Sequence, residues 1–154
     1  MKWNPQDVEV YLQSKEYVDT AVIPLLPVAF DSEMGQAAAM SEFITLVTGQ
    51  LERQFKGRIL LLPGFSYLKI VEEENTFTNL LDWETQLKSN GFKHIFYLTS
   101  DVFWKPFDDR LSGSLIWIPS IPLETMQESM KISVVESQVK QMINLFTREW
   151  HEKE

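Results

Sequence analysis

The segment Arg58-Ile59-Leu60-Leu61-Leu62, stopped by Pro63-Gly64, constrains the fold more than any other part of the sequence. A strand with one wet face alternates apolar and polar residues, whereas a nearly unbroken apolar run fits a strand covered on both faces, as in the middle of a parallel sheet. Parallel neighbours must be joined by crossovers of roughly a dozen residues or more, usually helical. The sequence on either side should therefore carry helical periodicity.

It does. From Ser32 to Lys56 the residues Met40, Phe43, Ile44, Val47, Leu51 and Phe55 recur every three or four positions, and Gly57 supplies a stop. Before that helix, Thr20-Ala21-Val22-Ile23 is a β-prone run reaching Pro24, extended onward through Leu25, Leu26, Pro27 and Val28. A further helix is predicted within Thr76 to Ser89, with Phe77, Leu80, Leu81, Trp83 and Leu87 inward and Asn90-Gly91 closing it. The strand Phe92 to Leu98 follows, then an irregular stretch from Thr99 to Gly113, then the strand Ser114 to Ile118. At the start, Asn4 as cap, Pro5 and Asp7 predict a short helix to Ser14. At the end, Thr125 and Glu128 have the spacing of a capping box. The stripe Met126, Met130, Val135, Val139, Met142, Phe146 and Trp150 then implies a helix of about 25 residues.

This order predicts an α/β fold: a three-layer sandwich with a mostly parallel four-stranded sheet and helices on both faces. No repeat or linker-like stretch divides the chain, so residues 1–154 are expected to form a single domain. The direction of the fourth strand is left open between parallel and antiparallel, because no clear helix precedes it. A C-terminal helix of about 37 Å would outreach a strand of about 17 to 20 Å, which raises the expectation of a homodimer covering the remainder.

Composition removes several functions. The formal charge of −8 makes nucleic acid and anionic membranes poor partners. The lack of cysteine removes thiolate nucleophiles and thiolate metal ligands, and two isolated histidines make no zinc site. Without an apolar leader or a run of roughly 18 apolar residues, a cytoplasmic location is the default expectation. No glycine-rich phosphate loop occurs, so no nucleotide or other cofactor is expected.

In a parallel sheet the loops after the strands form sites, so Phe30, Phe65, Tyr67 and Trp104 are expected to line a ligand-binding cleft at the carboxyl edge. Asp31 and Asp101 stand beside them, and such a pair could work as acid and base or hold Mg²⁺. Ser66 sits in a turn like a nucleophile elbow, although Leu68 replaces the second small residue and only His94 and His151 could serve as base. The favoured reading is a non-catalytic binding or protein-interaction module with a protein or small-molecule partner. The alternative is a small hydrolase or carboxylate-based metal enzyme using Ser66, Asp31 and Asp101.

The segments MKWNPQDVEVYL, RILLLPGFSYL and DVFWKPF together resemble the YpiF-like family of small uncharacterised proteins from Bacillus-type bacteria. The resemblance covers the whole chain. It transfers no catalytic motif and implies a cytosolic bacterial protein.

Overall fold

The computed structural model describes residues 1–153. Its elements in chain order are α1 (Pro5–Gln13), β1 (Thr20–Val28), α2 (Met34–Gln54), β2 (Ile59–Leu61), β3 (Phe65–Leu68), α3 (Glu73–Ser89), β4 (His94–Thr99), a 3₁₀ segment (Val102–Arg110), β5 (Ser114–Trp117) and α4 (Glu128–Glu152). All strand pairings are parallel, and the sheet runs β2-β1-β4-β5 with β3 also on β1. The fourth expected strand, β5, is thus parallel to β4, and the 3₁₀ segment provides the crossover.

The expected turn after Leu62 is instead the fifth strand. Leu61 stands beside Val22 and Phe65 beside Leu25, so Leu62, Pro63 and Gly64 face only Ile23 and Pro24 of β1. Such a two-against-three mismatch is a bulge, and β2 and β3 are one strand interrupted by it. The interruption falls where Pro24 and Pro63 lack an N–H to give to a ladder. Gly64 is required there, because a Cβ would run into the Leu26 side chain. Along β2, Met1 and Lys2 extend the sheet: Leu61 N donates to Met1 O at 2.8 Å, and the Met1 amino group lies 3.1 Å from buried Glu52.

Alternate residues of β1 feed two cores. Ala21, Ile23 and Leu25 meet Phe77 and Leu80 of α3 and Trp104 of the 3₁₀ segment. Val22, on the opposite face, meets Phe43 and Val47 of α2 and Phe146 of α4. The α4 stripe from Val135 to Trp150 is buried inside the chain. Phe146 stacks on Phe96 at 3.8 Å, Trp150 meets Phe55 edge-on at 4.9 Å, and the Trp150 indole donates to Thr20 Oγ1 at 2.8 Å. The predicted stripe is thus covered within the chain from Val135 to Trp150, by α2 and the sheet, while Met130 at its start is 55% exposed. The Thr125 capping box does not form: α4 begins at Glu128 after Gln127, which makes no side-chain cap.

The link into β5 is fixed by Glu84 of α3. Its carboxylate accepts from Tyr97 Oη (2.5 Å), Ser112 N (3.0 Å), Ser112 Oγ (2.8 Å) and Gly113 N (3.0 Å). Gly113 passes so close that a Cβ would stand 2.7 Å from Ile95 O. Burial pushes the Glu84 pKa up, but these donors outweigh it and hold the group below its ordinary range. A depressed folded-state value means stability that is complete above the unfolded value of about 4.3 and lost as pH falls through the folded value. Glu84→Gln, which turns an amide toward these donors, is expected to destabilise the protein by about 1–3 kcal/mol at neutral pH. The gap from wild type should narrow below pH ~4 in urea unfolding series, and a gap independent of pH would contradict the assignment.

Candidate functional site

The sheet has one switch point. From β1 the chain leaves to α2 on one face, and from β4 it leaves to the 3₁₀ segment on the other, so the switch point lies between Ala29–Asp31 and Ser100–Val102. Asp101 occupies this place and is buried. Its carboxylate accepts from Tyr67 Oη at 2.8 Å and from Phe103 N at 3.1 Å, and Lys69 Nζ lies 3.4 Å away. Lys69 also reaches Glu33 at 3.8 Å. Burial, followed by the Asp101 charge and the hydrogen bond to it, pushes the Tyr67 hydroxyl far above the usual phenol range. Tyr67 therefore remains a neutral donor.

The structure brings four of the expected site residues together and leaves three apart. Phe65, Tyr67 and Trp104 converge with Asp101, the indole lying 6.2 Å from the Phe65 ring and 5.2 Å from the Tyr67 ring, edge-on to both. These rings do not line an opening. Trp104 is fully buried, and Phe65 and Tyr67 nearly so, because the 3₁₀ segment lays its aromatic side on the sheet next to α3, whose Trp83 meets Phe65 edge-on at 5.9 Å. The aromatic cleft is in this respect corrected to a packed core. Phe30, by contrast, is 76% exposed. Asp31 is also exposed, and its carboxylate accepts from Glu33 N at 2.9 Å in a local turn. Ser66 is exposed on β3.

Ser66 has no base. It pairs in register with Leu26 whereas His94 pairs with Thr20, and six residues along β1 separate them by about 20 Å at roughly 3.3 Å per residue. His151 follows Trp150, whose indole is bonded to Thr20 at that same remote end. His94 itself is buried beside Asp19, with Nε2 3.9 Å from the carboxylate, and burial lowers its pKa. Among the described residues, no three His, Asp or Glu side chains converge as a metal site would require.

A different concavity has ligand dimensions. Between α1 and α3, a groove of about 750 Å³ runs over the sheet. Leu60, Leu62 and Phe92 lie at the sheet, Tyr11 and Leu12 on the α1 side, and Trp83 and Leu87 on the α3 side. Tyr11 stacks on Phe92 at 5.6 Å, yet α1 buries no residue completely. Trp3 and Leu12 are 59% and 57% exposed. Lys15, Asp82, Gln86 and Asn90 contribute polar groups to its lining. The sequence carried a sign of it in Val8, Tyr11 and Leu12, an apolar stripe on a helix too short to need one for its own core.

Truncation separates core from surface. Trp104→Ala is expected to cost about 3–5 kcal/mol in denaturant unfolding, as large aromatic deletions in cores do. Phe30→Ala should change stability by less than about 0.5 kcal/mol, and equal losses for the two would reject this division.

The family model described as "Protein of unknown function (DUF2487)" matches residues 9–150. The chain is similar to the "Uncharacterized protein YpiF" of Bacillus subtilis (strain 168), with 37% identity over 150 residues, 97% of this chain and 98% of that protein. A crystal structure of a sigma-54 interaction domain protein from Enterococcus faecalis is similar over 87% of this chain and 96% of its own, at 12% identity and a TM-score of 0.39.

Proposed function

The chain belongs to the DUF2487 family, and from that premise we propose that it is a non-catalytic binding module that takes an amphipathic helix of a partner protein into the groove between α1 and α3. The observation that carries this reading is the groove itself: about 750 Å³, walled by aromatic and aliphatic side chains, with polar groups confined to a few positions. Binding sites have this make-up. A helical occupant suits it for two reasons. The walls are two helices over a floor of sheet side chains, and α1, nine residues long, offers about 13 Å of wall, enough for two to three turns of a third helix. Trp3 and Leu12, in the lining of the groove, are also more than half exposed, the open apolar surface that a macromolecular partner covers.

The polar lining specifies the partner further. Asp82 comes from the α3 side and Lys15 from the α1 side, so an occupant with a cationic residue toward α3 and an acidic one toward α1 is matched. Selection from a displayed library of helical peptides is expected to yield sequences with apolar anchors at i, i+3 or i+4, and i+7. Leu12→Asp, an exposed change that should alter stability by no more than about 0.5 kcal/mol, is expected to weaken the selected peptides by about tenfold or more. Selected peptides that bind Leu12→Asp as tightly as wild type would defeat the proposal.

A further inference from the structure

The carboxyl edge carries an apolar surface that neither the fold nor the groove explains. Phe30 follows β1, Met34 opens α2, Leu68 ends β3, Ile70 and Val71 follow it, and Val102 follows β4, and all six are exposed, Ile70 at 89%. They come from separate parts of the sequence but from adjoining backbone. Val28 and Leu68 are register partners, and Lys69 N donates to Val28 O at 3.0 Å. Lys69 Nζ then reaches Asp101 on one side and Glu33 on the other. The segments bearing Phe30 and Met34, Leu68 to Val71, and Val102 are thus tied to a single lysine. Isolated exposed apolar residues are ordinary, whereas six gathered on loops at one sheet edge mark an interaction surface.

Charge says what the surface fits. Within residues 29–34, 68–74 and 100–103 the only cation is Lys69, already held between Asp101 and Glu33. Asp31, Glu33, Glu72 and Glu73 are exposed around the apolar residues, and Glu74 is taken by Arg110 at 2.7 Å. An apolar centre framed by carboxylates repels anionic lipid headgroups and another copy of the same face, and it matches an apolar face framed by lysine and arginine. We infer that the carboxyl edge is a second docking surface, independent of the groove, for a protein partner whose apolar contact residues are ringed by basic side chains.

The probe is a helical peptide with a Leu/Phe face flanked by Lys and Arg, paired with a control in which Glu replaces the basic residues. Titration into ¹⁵N-labelled protein is expected to move amide signals of residues 29–34, 68–73 and 102 for the basic peptide and not for the acidic one. Binding should weaken steeply between about 50 and 500 mM salt. The double variant Phe30→Ser/Ile70→Ser should lose about tenfold or more in affinity. Leu12→Asp should lose nothing, which separates this surface from the groove. The inference is overturned if the signals that move belong to α1 and α3, if the acidic peptide binds as well, or if the double variant binds unchanged. It is also overturned if sedimentation shows self-association that Phe30→Ser/Ile70→Ser abolishes, since the occupant is then a second copy. Vesicles of phosphatidylcholine and phosphatidylglycerol that bind wild type but not the double variant would assign the surface to lipid instead.

Discussion

The rest of the structure depends on β1 being covered on both faces and paired along both edges. Its first five residues are bonded in register to β4 and its first three to β2, while its last four pair with β3. Alternate side chains then anchor two separate cores, so every helix packs directly or indirectly against this strand. Two prolines in such a strand would ordinarily argue against a central position. Here Pro24 falls opposite the bulge on the β2/β3 side, where the ladder is interrupted, and is the last β1 residue in register with β4, while Pro27 lies past that last rung. The prolines thereby end the two-sided pairing at one place. Beyond it β1 has a partner on one side only, and the switch point lies at that carboxyl edge.

Two tyrosine–carboxylate pairs hold the connections that this arrangement leaves long. Tyr67 donates to Asp101 where the chain leaves β4, and Tyr97 donates to Glu84 where the chain enters β5. Each carboxylate also takes backbone N–H groups of the connection it restrains: Phe103 for Asp101, Ser112 and Gly113 for Glu84. A buried charge is tolerable only when its lone pairs are satisfied, and removing a partner from such a group costs more than the bond itself contributes. Both pairs are occupied structurally. Asp101 therefore acts as the lock on the 3₁₀ segment, with a neutral phenol and an ammonium already on its oxygens, and this explains why a carboxylate at the switch point need not be a catalytic one.

The layers and the parallel direction were legible because they follow from periodicity. The unbroken apolar run at Ile59–Leu62 and the stripes of α2, α3 and α4 each reflect a buried face. Local punctuation was less reliable. Pro63-Gly64 has the composition of a strand end, but the chain uses it as a bulge and resumes pairing at Phe65. Thr125 and Glu128 have capping-box spacing, yet α4 starts only at Glu128, after Gln127. The stretch Val102–Arg110 was harder, since Pro106 and mixed charges suggest a loop. Phe103, Trp104 and Phe107, at helical spacing, show in retrospect that one side was to be buried. The groove was not legible at all beyond the α1 stripe. It exists because α1 and α3 sit apart on the sheet, a tertiary fact that no local pattern encodes.

The two proposed surfaces are carried on the two halves of the interrupted strand. Leu60, Leu62 and Pro63 belong to the groove, and Leu68 belongs to the carboxyl edge. Coupling between them would require an element with two arrangements, each favoured by one partner. Between these halves there is a single one. Gly64 lies against Leu26, Phe65 and Tyr67 are pinned by the buried Trp104, and the Tyr67 hydroxyl is fixed on Asp101. Any shift along the strand would have to break these contacts together. If both proposed surfaces bind, binding at one is expected to leave affinity at the other unchanged, and the two free energies to add, as they do for independent sites. What a module of this kind supplies is proximity: two partners held on one rigid sheet raise each other's effective concentration without either one altering the protein between them.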